Sequence, residues 1–528
     1  METLRSYVCG RWHEADRGFS ALVNPSTEEE IARAGSDGVD FGAVLEHARG
    51  RGGPALRALT FAQRGELLKG MAKALRAQRD ELLALSRSNN GATTPDGSFD
   101  VDGGGGTLAY YAALCRGLGE RTVLAEGEGA QLARTEGFWA QHVLVPRRGV
   151  AVCINAFNFP VWGFAEKAAC ALAAGVPVVV KPATATALVA ARAVEAVIAA
   201  GVLPEGALQM IAGGTGDLLD RLGPQDVLAF TGSASTALTL RRRTQLGAAA
   251  TRFNVEADSL NAAVLGPDVA AAAGDPTFDL FLRDVVREMT QKTGQKCTAV
   301  RRVLVPAERL GAVRDALAER LGAVVTGNPE DPEVTMGPLA SAAQLADAEE
   351  GVAALAASAR IVLGGACCDG RGGEPGRGYF FSPTLLEAAD GGAGGAVHER
   401  EVFGPVATLL PYDGSAEGAA AVVALGGGTL VTSAYGDDPR WLGAFLAAAG
   451  PTTGRLYVGS RAAAGEAPGS GVALPQALHG GPGRAGGGEE LGGLRGVTLY
   501  MQRLALQGSR PLVEELAGAG REEPPPAS

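Results

Sequence analysis

Val150-Ala151-Val152-Cys153-Ile154-Asn155-Ala156-Phe157-Asn158-Phe159-Pro160 is the stretch that decides the architecture. Its apolar run, Val150 to Ile154, reads as a strand buried on both faces, and Asn155 to Asn158 as that strand's polar C-terminal end. A helix is expected from about Pro160 to Ala174, then a second strand, Val176 to Lys181, and a helix from Thr184 to Ala200. Ala207 to Ile211, Val227 to Phe230 and Thr251 to Val255 continue the alternation as strands. Strands alternating with helices imply a parallel sheet covered on both faces. Ligands of such sheets lie beyond the C-terminal strand ends. Those ends are Asn155 to Asn158, Lys181 to Thr184, Gly213 to Gly216 and Thr231 to Ser233.

A second alternating region runs from Asn261 to about Val458. Its expected strands are Ala262 to Leu265, Arg302 to Val305, Ile361 to Leu363, Val406 to Leu410 and Arg455 to Val458. The fold class is therefore α/β, with two such domains and a cleft between them. Upstream, residues 1–60 read as short strands and turns, and Phe61 to Asn89 as one long helix stopped by Asn90-Gly91. The glycine run in Asp102 to Gly106 reads as a loop before a helix from Leu108 to Arg116. Residues 127–148 read as a hairpin that interrupts the first domain.

The chain has 528 residues, enough for two or three domains. Its net charge of -11 argues against a general nucleic-acid binder. Seven cysteines show no regular spacing and no CxxC, so neither a zinc nor a redox motif is supported, and no metal is expected. Reduced thiols suit a cytoplasmic location. Met1 to Gly10 carries charges and no apolar run, unlike a signal peptide, and the apolar runs are too short to cross a bilayer.

Chemistry concentrates in Gly294-Gln295-Lys296-Cys297-Thr298-Ala299, just past an amphipathic helix expected from Phe278 to Gln291. Gly294 suits a helix stop. A cysteine there reaches a cleft from a rigid base, and Lys296 beside it would favour the nucleophilic thiolate. A free cysteine is more often a small buried apolar residue. Asn158 suits an oxyanion donor, or a helix cap before Pro160. Lys181 suits a ligand phosphate or ribose, or is a solvated strand end. Glu256, ending a strand, suits a general base for water if partial burial raises its pKa, or is an ordinary exposed glutamate. Glu401, before the strand at Val406, suits ribose hydroxyls, or merely ends a loop.

Together these pieces resemble the aldehyde dehydrogenase superfamily, from about residue 5 to 508 and in the right order. The motifs are Phe157-Asn158-Phe159-Pro160, Lys181-Pro182, Phe230-Thr231-Gly232-Ser233, Glu256, Gly294-Gln295-Lys296-Cys297 and Glu401-Val402-Phe403-Gly404-Pro405. Ile154 to Trp162, Val255 to Asn261 and His479 to Leu491 narrow the resemblance to the dehydrogenase part of the bifunctional ring-opening enzymes of phenylacetyl-CoA degradation, and length and arrangement to their stand-alone relatives acting on CoA-linked semialdehydes in aromatic-compound (benzoate) degradation. Three departures stand out: Ala237 and Ala257-Asp258-Ser259 replace glycine-containing family patterns, and Thr184 replaces the acidic residue of most NAD-preferring members.

The resemblance implies a Rossmann-type cofactor domain (1–126 and 149–257) and an α/β catalytic domain (258–480). A small β oligomerisation arm (127–148 and 481–510) and a flexible tail (511–528) complete the expected organisation. It implies Cys297 as nucleophile, Asn158 as oxyanion donor and Glu256 as base. Ile154, Asn155, Ala156, Lys181, Ala183, Thr184, Gly213, Phe230, Thr231, Gly232, Ser233, Glu401 and Phe403 are implied around the cofactor. Phe157, Trp162, Lys296, Thr298 and His479 are implied around the substrate. NADP is expected, with NAD possible, because Thr184 leaves no carboxylate to repel a 2′-phosphate. The expected substrate is a CoA-linked semialdehyde, 3,4-dehydroadipyl-CoA semialdehyde, and the expected assembly a homodimer through the arm and a strand at Val497 to Leu504. Rival readings are a free-semialdehyde dehydrogenase, a CoA-acylating dehydrogenase and a catalytically silent ligand-binding homologue. The glycine loop 480–488 lacks the Gly-Lys-Ser/Thr ending of a phosphate loop and reads as structural. Arg241-Arg242-Arg243 reads as a solvated helix face sooner than a CoA-phosphate site.

Overall fold

A computed structural model describes residues 2–391 and 395–518. Two seven-stranded sheets organise it. In the first, the strands run Arg252–Glu256, Val227–Thr231, Ala151–Ile154, Val178–Lys181, Leu208–Met210, Ser6–Val8, Arg11–His13. The first five are parallel; Ser6–Val8 joins Leu208–Met210 antiparallel, and Arg11–His13 joins Ser6–Val8 antiparallel in turn. Val178, Val179 and Val180 are all fully buried, as strands covered on both faces require. The chain builds outward from Ala151–Ile154 to Leu208–Met210, then returns to place Val227–Thr231 on the other side. The crevice for a ligand lies where that order reverses, between the ends of these two strands. The register sets Ile154 beside both Lys181 and Phe230, and Thr231 beside Glu256.

The second sheet runs Ala359–Leu363, Thr384–Ala388, Val406–Tyr412, Arg302–Pro306, Ala262–Leu265, Thr429–Tyr435, Thr453–Gly459. All but Ala359–Leu363 are parallel. Thr384–Ala388 and Thr429–Tyr435 are additional to the strands expected from the sequence. The α/β architecture stands.

Local differences have physical causes. The expected single helix from Phe61 is two, Phe61–Ala77 and Arg79–Asn90, broken at Gln78. Gly103 to Gly106 are not a loop but the interior of one helix, Thr94–Leu118. A Cβ on Gly103 would lie 2.4 Å from the Trp162 ring, so glycine there lets this helix meet the helix Trp162–Ala173 closely. Residues 41–57, expected as strands and turns, are helical.

The hairpin lies slightly off its expected place, as Leu124–Gln131 and Trp139–Pro146. Met501–Gly508 completes a three-stranded antiparallel sheet with it. That strand starts later than expected, because Val497 belongs to a short helix, Leu494–Thr498. Residues 511–517, expected to be flexible, belong to a helix, Arg510–Ala517, which buries Val513 and pairs Arg510 with Glu136 and Glu514. The proline-rich stretch 524–526 lies outside the described residues. No helix among the described residues is long and apolar enough to cross a membrane.

Candidate active site

The helix Pro276–Thr290 starts on Asp275, whose carboxylate accepts from Thr277 and Phe278 N–H. It buries Phe278, Phe281, Leu282, Val285 and Met289. Beyond it the chain makes a sharp reversal in which Lys292, Thr293 and Gly294 all have positive φ (52°, 58° and 66°). Only Gly294 advertised this in sequence. The Thr293 hydroxyl donates to Gly337 O (2.9 Å), and Arg301 donates to Gly294 O (2.8 Å) and Gly404 O (2.7 Å). The reversal delivers Cys297 to an enclosed pocket.

Asn261 fixes that cysteine. Its amide donates to Cys297 O (2.7 Å) and Ala299 O (2.9 Å), while its oxygen accepts from Val431 N (2.9 Å). Sequence reasoning quoted Asn261 only as part of a motif; the signal was an asparagine just before a buried strand.

Asn155, Ala156, Asn158, Trp162, Thr231, Glu256, Cys297, Thr298 and His479 line one pocket. These residues come from five separate regions of the chain. Phe99, Phe159, Gly163, Glu166, Lys167, Gly471 and Ala473 line it too and were missed. Phe99, Phe159 and Trp162 form an edge-to-face trio with ring centroids 5.1 to 5.8 Å apart, giving the pocket an aromatic wall. Phe157 is not in this wall: its ring meets Phe403, 5.8 Å away. Lys296 is not there either. Its ammonium turns inward to Glu288 Oε2 (2.7 Å) and Gln291 Oε1 (2.7 Å), an ion pair with both side chains buried. Removing a charge from water requires such a partner, which the local sequence did not reveal.

Cys297 Sγ lies 3.7 Å from His479 Nε2, which is 3.3 Å from Glu256 Oε1. Burial, then the Glu256 carboxylate, push the thiol well above its ordinary range. Glu256 is buried, not exposed, and burial alone would raise its carboxyl as the base reading expected; His479 beside it outweighs this and, contrary to that expectation, holds it well below the usual range. Behind them, Lys167 bridges Glu166 (2.9 Å) and Glu490 (3.1 Å). Burial pushes Glu166 up to about 7 against the pull of Lys167. The glycine loop is structural: Gly488 N donates to Val255 O, and a Cβ on Gly486 would sit 2.3 Å from that oxygen. The loop thus clamps the strand that ends in Glu256.

At the strand ends, Lys181 is partly buried and makes no ion pair among the described residues; burial lowers its ammonium. Ala183, not Thr184, holds the N-cap position of the turn Thr184–Thr186. Both polar atoms of the Asn155 side chain are buried without partners. Gly232 and Ser233 lead into the helix Ala234–Arg241, which Ser233 caps. Glu401 Oε1 accepts no hydrogen bond and lies 3.7 Å from Arg301; burial pushes its carboxyl up to about 7. These unpartnered groups fit a polar cofactor lying across the sheet's switch point. Gly213 has a different explanation: a Cβ there would come within 2.6 Å of the Gly35–Ser36 backbone. Arg241 donates to Gly486 O, and Arg243 pairs with Asp220.

A partly exposed cysteine just past a sharp reversal, a carboxylate near it and orphaned polar groups at a parallel-sheet switch point are the parts that a nucleotide-dependent enzyme with a thiol nucleophile would need. The description "Aldehyde dehydrogenase family" matches residues 12–464, and the chain belongs to that family. It is 46% identical over 480 residues, 91% of this chain and 93% of the relative, to 3,4-dehydroadipyl-CoA semialdehyde dehydrogenase of Aromatoleum evansii. Among solved structures it is similar to lactaldehyde dehydrogenase from Escherichia coli (TM-score 0.83, 24% identity, 96% and 99% of the two chains covered). It is likewise similar to betaine aldehyde dehydrogenase of Staphylococcus aureus bound to NAD+ (TM-score 0.82, 22% identity, 96% of each chain). The protein is an NAD(P)-dependent aldehyde dehydrogenase.

Proposed function

We propose that this chain oxidises a CoA-linked semialdehyde, 3,4-dehydroadipyl-CoA semialdehyde, to its carboxylic acid with NADP, as a step of aromatic-compound breakdown. The observation that carries the reading is the convergence of Cys297, Glu256 and Asn158 on one pocket in a chain so similar to the Aromatoleum evansii enzyme. Cys297 attacks the aldehyde carbon. Asn158 and the Cys297 N–H hold the oxyanion, a task for neutral donors fixed in place. When bound, the nicotinamide supplies the hydride acceptor. Cys297 then carries the acyl group as a thioester, and Glu256 takes a proton from the water that releases it. The presence of a carboxylate, Glu256, in the pocket with Cys297 favours water over free CoA as acceptor.

NADP is favoured by Thr184 and Lys181. A carboxylate at position 184 would repel a 2′-phosphate; a threonine does not. Lys181 adds a positive point charge nearby. Phe403, packed on Phe157, and Glu401 are assigned to the nicotinamide-ribose side.

The chain pairs with a second copy through the exposed strand Met501–Gly508, whose free edge and half-exposed Leu504 invite strand addition. Light scattering at micromolar concentration should give at least a dimer mass; a monomer refutes this.

The function is tested by following reduced cofactor with matched CoA-linked and free semialdehydes, with and without free CoA. The expected result is a higher kcat/KM for the CoA-linked aldehyde and an acid product. Equal rates on the free aldehyde, or acyl-CoA formed only with free CoA, would overturn it.

A further inference from the structure

His479 reaches two reacting groups through one atom. It stands on a short strand, Leu478–Gly480, paired with Glu489–Leu491, and is almost fully buried. Its Nε2 faces Cys297 Sγ at 3.7 Å and Glu256 Oε1 at 3.3 Å. Its Nδ1 is buried with no hydrogen-bond partner among the described residues. Cys297 needs assistance to ionise, since burial and the adjacent carboxylate both favour the thiol. Lys296, the nearest cation in sequence, is committed to Glu288. A thiol left protonated is a poor nucleophile near neutrality.

We propose that His479 is a catalytic residue: its Nε2 takes the proton from Cys297 Sγ, leaving a thiolate–imidazolium pair whose counter-ion is Glu256. This deepens the reading above and rests on it for the oxidation, though not for ionisation of the thiol. The S–H bond breaks, its electron pair stays on sulfur, and an N–H bond forms on Nε2. Sulfur then gives that pair to the carbonyl carbon, and the carbonyl π pair moves to oxygen. On hydrolysis, Glu256 takes one proton from water and sulfur departs with the C–S pair, restoring the thiolate beside the imidazolium. Glu256 then loses its proton to solvent.

Charged groups face the imidazole from several elements: Glu256 from its strand end, Glu166 from the helix Trp162–Ala173 and Arg455 from the strand Thr453–Gly459. Burial and Arg455 disfavour the imidazolium; Glu256 and Glu166 prevail and raise it above its ordinary range. The neutral imidazole is therefore basic enough to take the sulfur's proton on Nε2, and once there that proton keeps Glu256 an anion.

The test is the pH dependence of Cys297 alkylation by iodoacetamide in the full chain without aldehyde, read on the Cys297 peptide by mass spectrometry. Because no aldehyde is used, an error in the assigned substrate leaves this result intact. Burial and the Glu256 carboxylate raise the thiol, so only proton transfer to His479 would bring the wild-type midpoint below the free-thiol value of about 8.5, the expected result. In His479→Gln and His479→Phe, the midpoint should rise. The pre-steady-state burst of reduced cofactor should fall about a hundredfold, within the range of a lost general base. A wild-type midpoint at or above the free-thiol value overturns the proposal even if neither variant folds. So do folded variants that alkylate like wild type and change only KM, which would make His479 a pocket wall.

Discussion

Around Cys297 the loop's backbone carbonyls are taken up by the protein, whereas at the ends of the first sheet several side-chain polar groups are left without partners. Cys297 O and Ala299 O are held by Asn261, and Gly294 O by Arg301. By contrast, Asn155 has two orphaned atoms, Glu401 one, and Lys181 no ion pair. An unpartnered buried polar group costs roughly 1–3 kcal/mol. The difference separates two strategies. The carbonyls that position Cys297 are satisfied before any ligand arrives, although Lys292 Nζ and His479 Nδ1 are not, while the strand ends carry a cost that a bound cofactor would relieve.

Four changes probe this contrast. Cys297→Ala should lower oxidation at least about a thousandfold while leaving nucleotide affinity unchanged. Fluorescence titration beside a turnover assay checks both halves; a matching loss of affinity would show that the two regions are not independent. Asn261→Ala strips partners from two carbonyls and from Val431 N–H. It should cost roughly 3 kcal/mol of stability and slow Cys297 alkylation, whereas Asn155→Ala should leave thermal stability nearly unchanged. Equal losses in both variants would erase the contrast. Thr184→Glu should lower kcat/KM for NADP relative to NAD about tenfold to a hundredfold. If the wild type prefers NAD, or the glutamate changes nothing, this position does not set the preference.

The smallest effect concerns Glu166. Its folded value of about 7 lies above its ordinary 4.5. A carboxyl raised in this way contributes stability below its ordinary value and loses it as pH rises through the folded one. The wild type should therefore lose a few degrees of Tm between about pH 5 and pH 8 that Glu166→Gln does not lose. The titration belongs to the cluster with Lys167 and Glu490. Parallel melting curves across that range would disprove it.

The alternation from Val150 onward made both parallel sheets legible, because strands buried on both faces leave long apolar runs between polar ends. Cys297, Glu256 and Asn158 were legible for the same reason: each stands at a break between an apolar element and a loop. The glycines at 103 to 106 were not, since their reason is a Trp162 ring packed across from another helix. Lys296 still favours the Cys297 thiolate by its charge, but its expected place in the pocket was misread because its direction is set by Glu288, on the preceding helix. The contact of His479 with Cys297 joins residues 182 positions apart, beyond any local pattern. The helix Arg510–Ala517 was missed where a polar, proline-rich ending suggested no order, yet its apolar side finds the hairpin to pack on.

The left-handed reversal at Lys292, Thr293 and Gly294 has a consequence for how such a chain can diversify. Each non-glycine residue held there carries about 1–2 kcal/mol of backbone strain. The contacts of Thr293 with Gly337 and Pro338 keep it in place. The position of Cys297 is thus written into its own backbone and not into Phe99, Phe159 or Ala473, which merely surround it. Those wall residues can be exchanged for aldehydes of other shapes while the sulfur stays where it is. A library varying the walls should be rich in active enzymes with altered scope; one varying the reversal should consist mostly of silent ones.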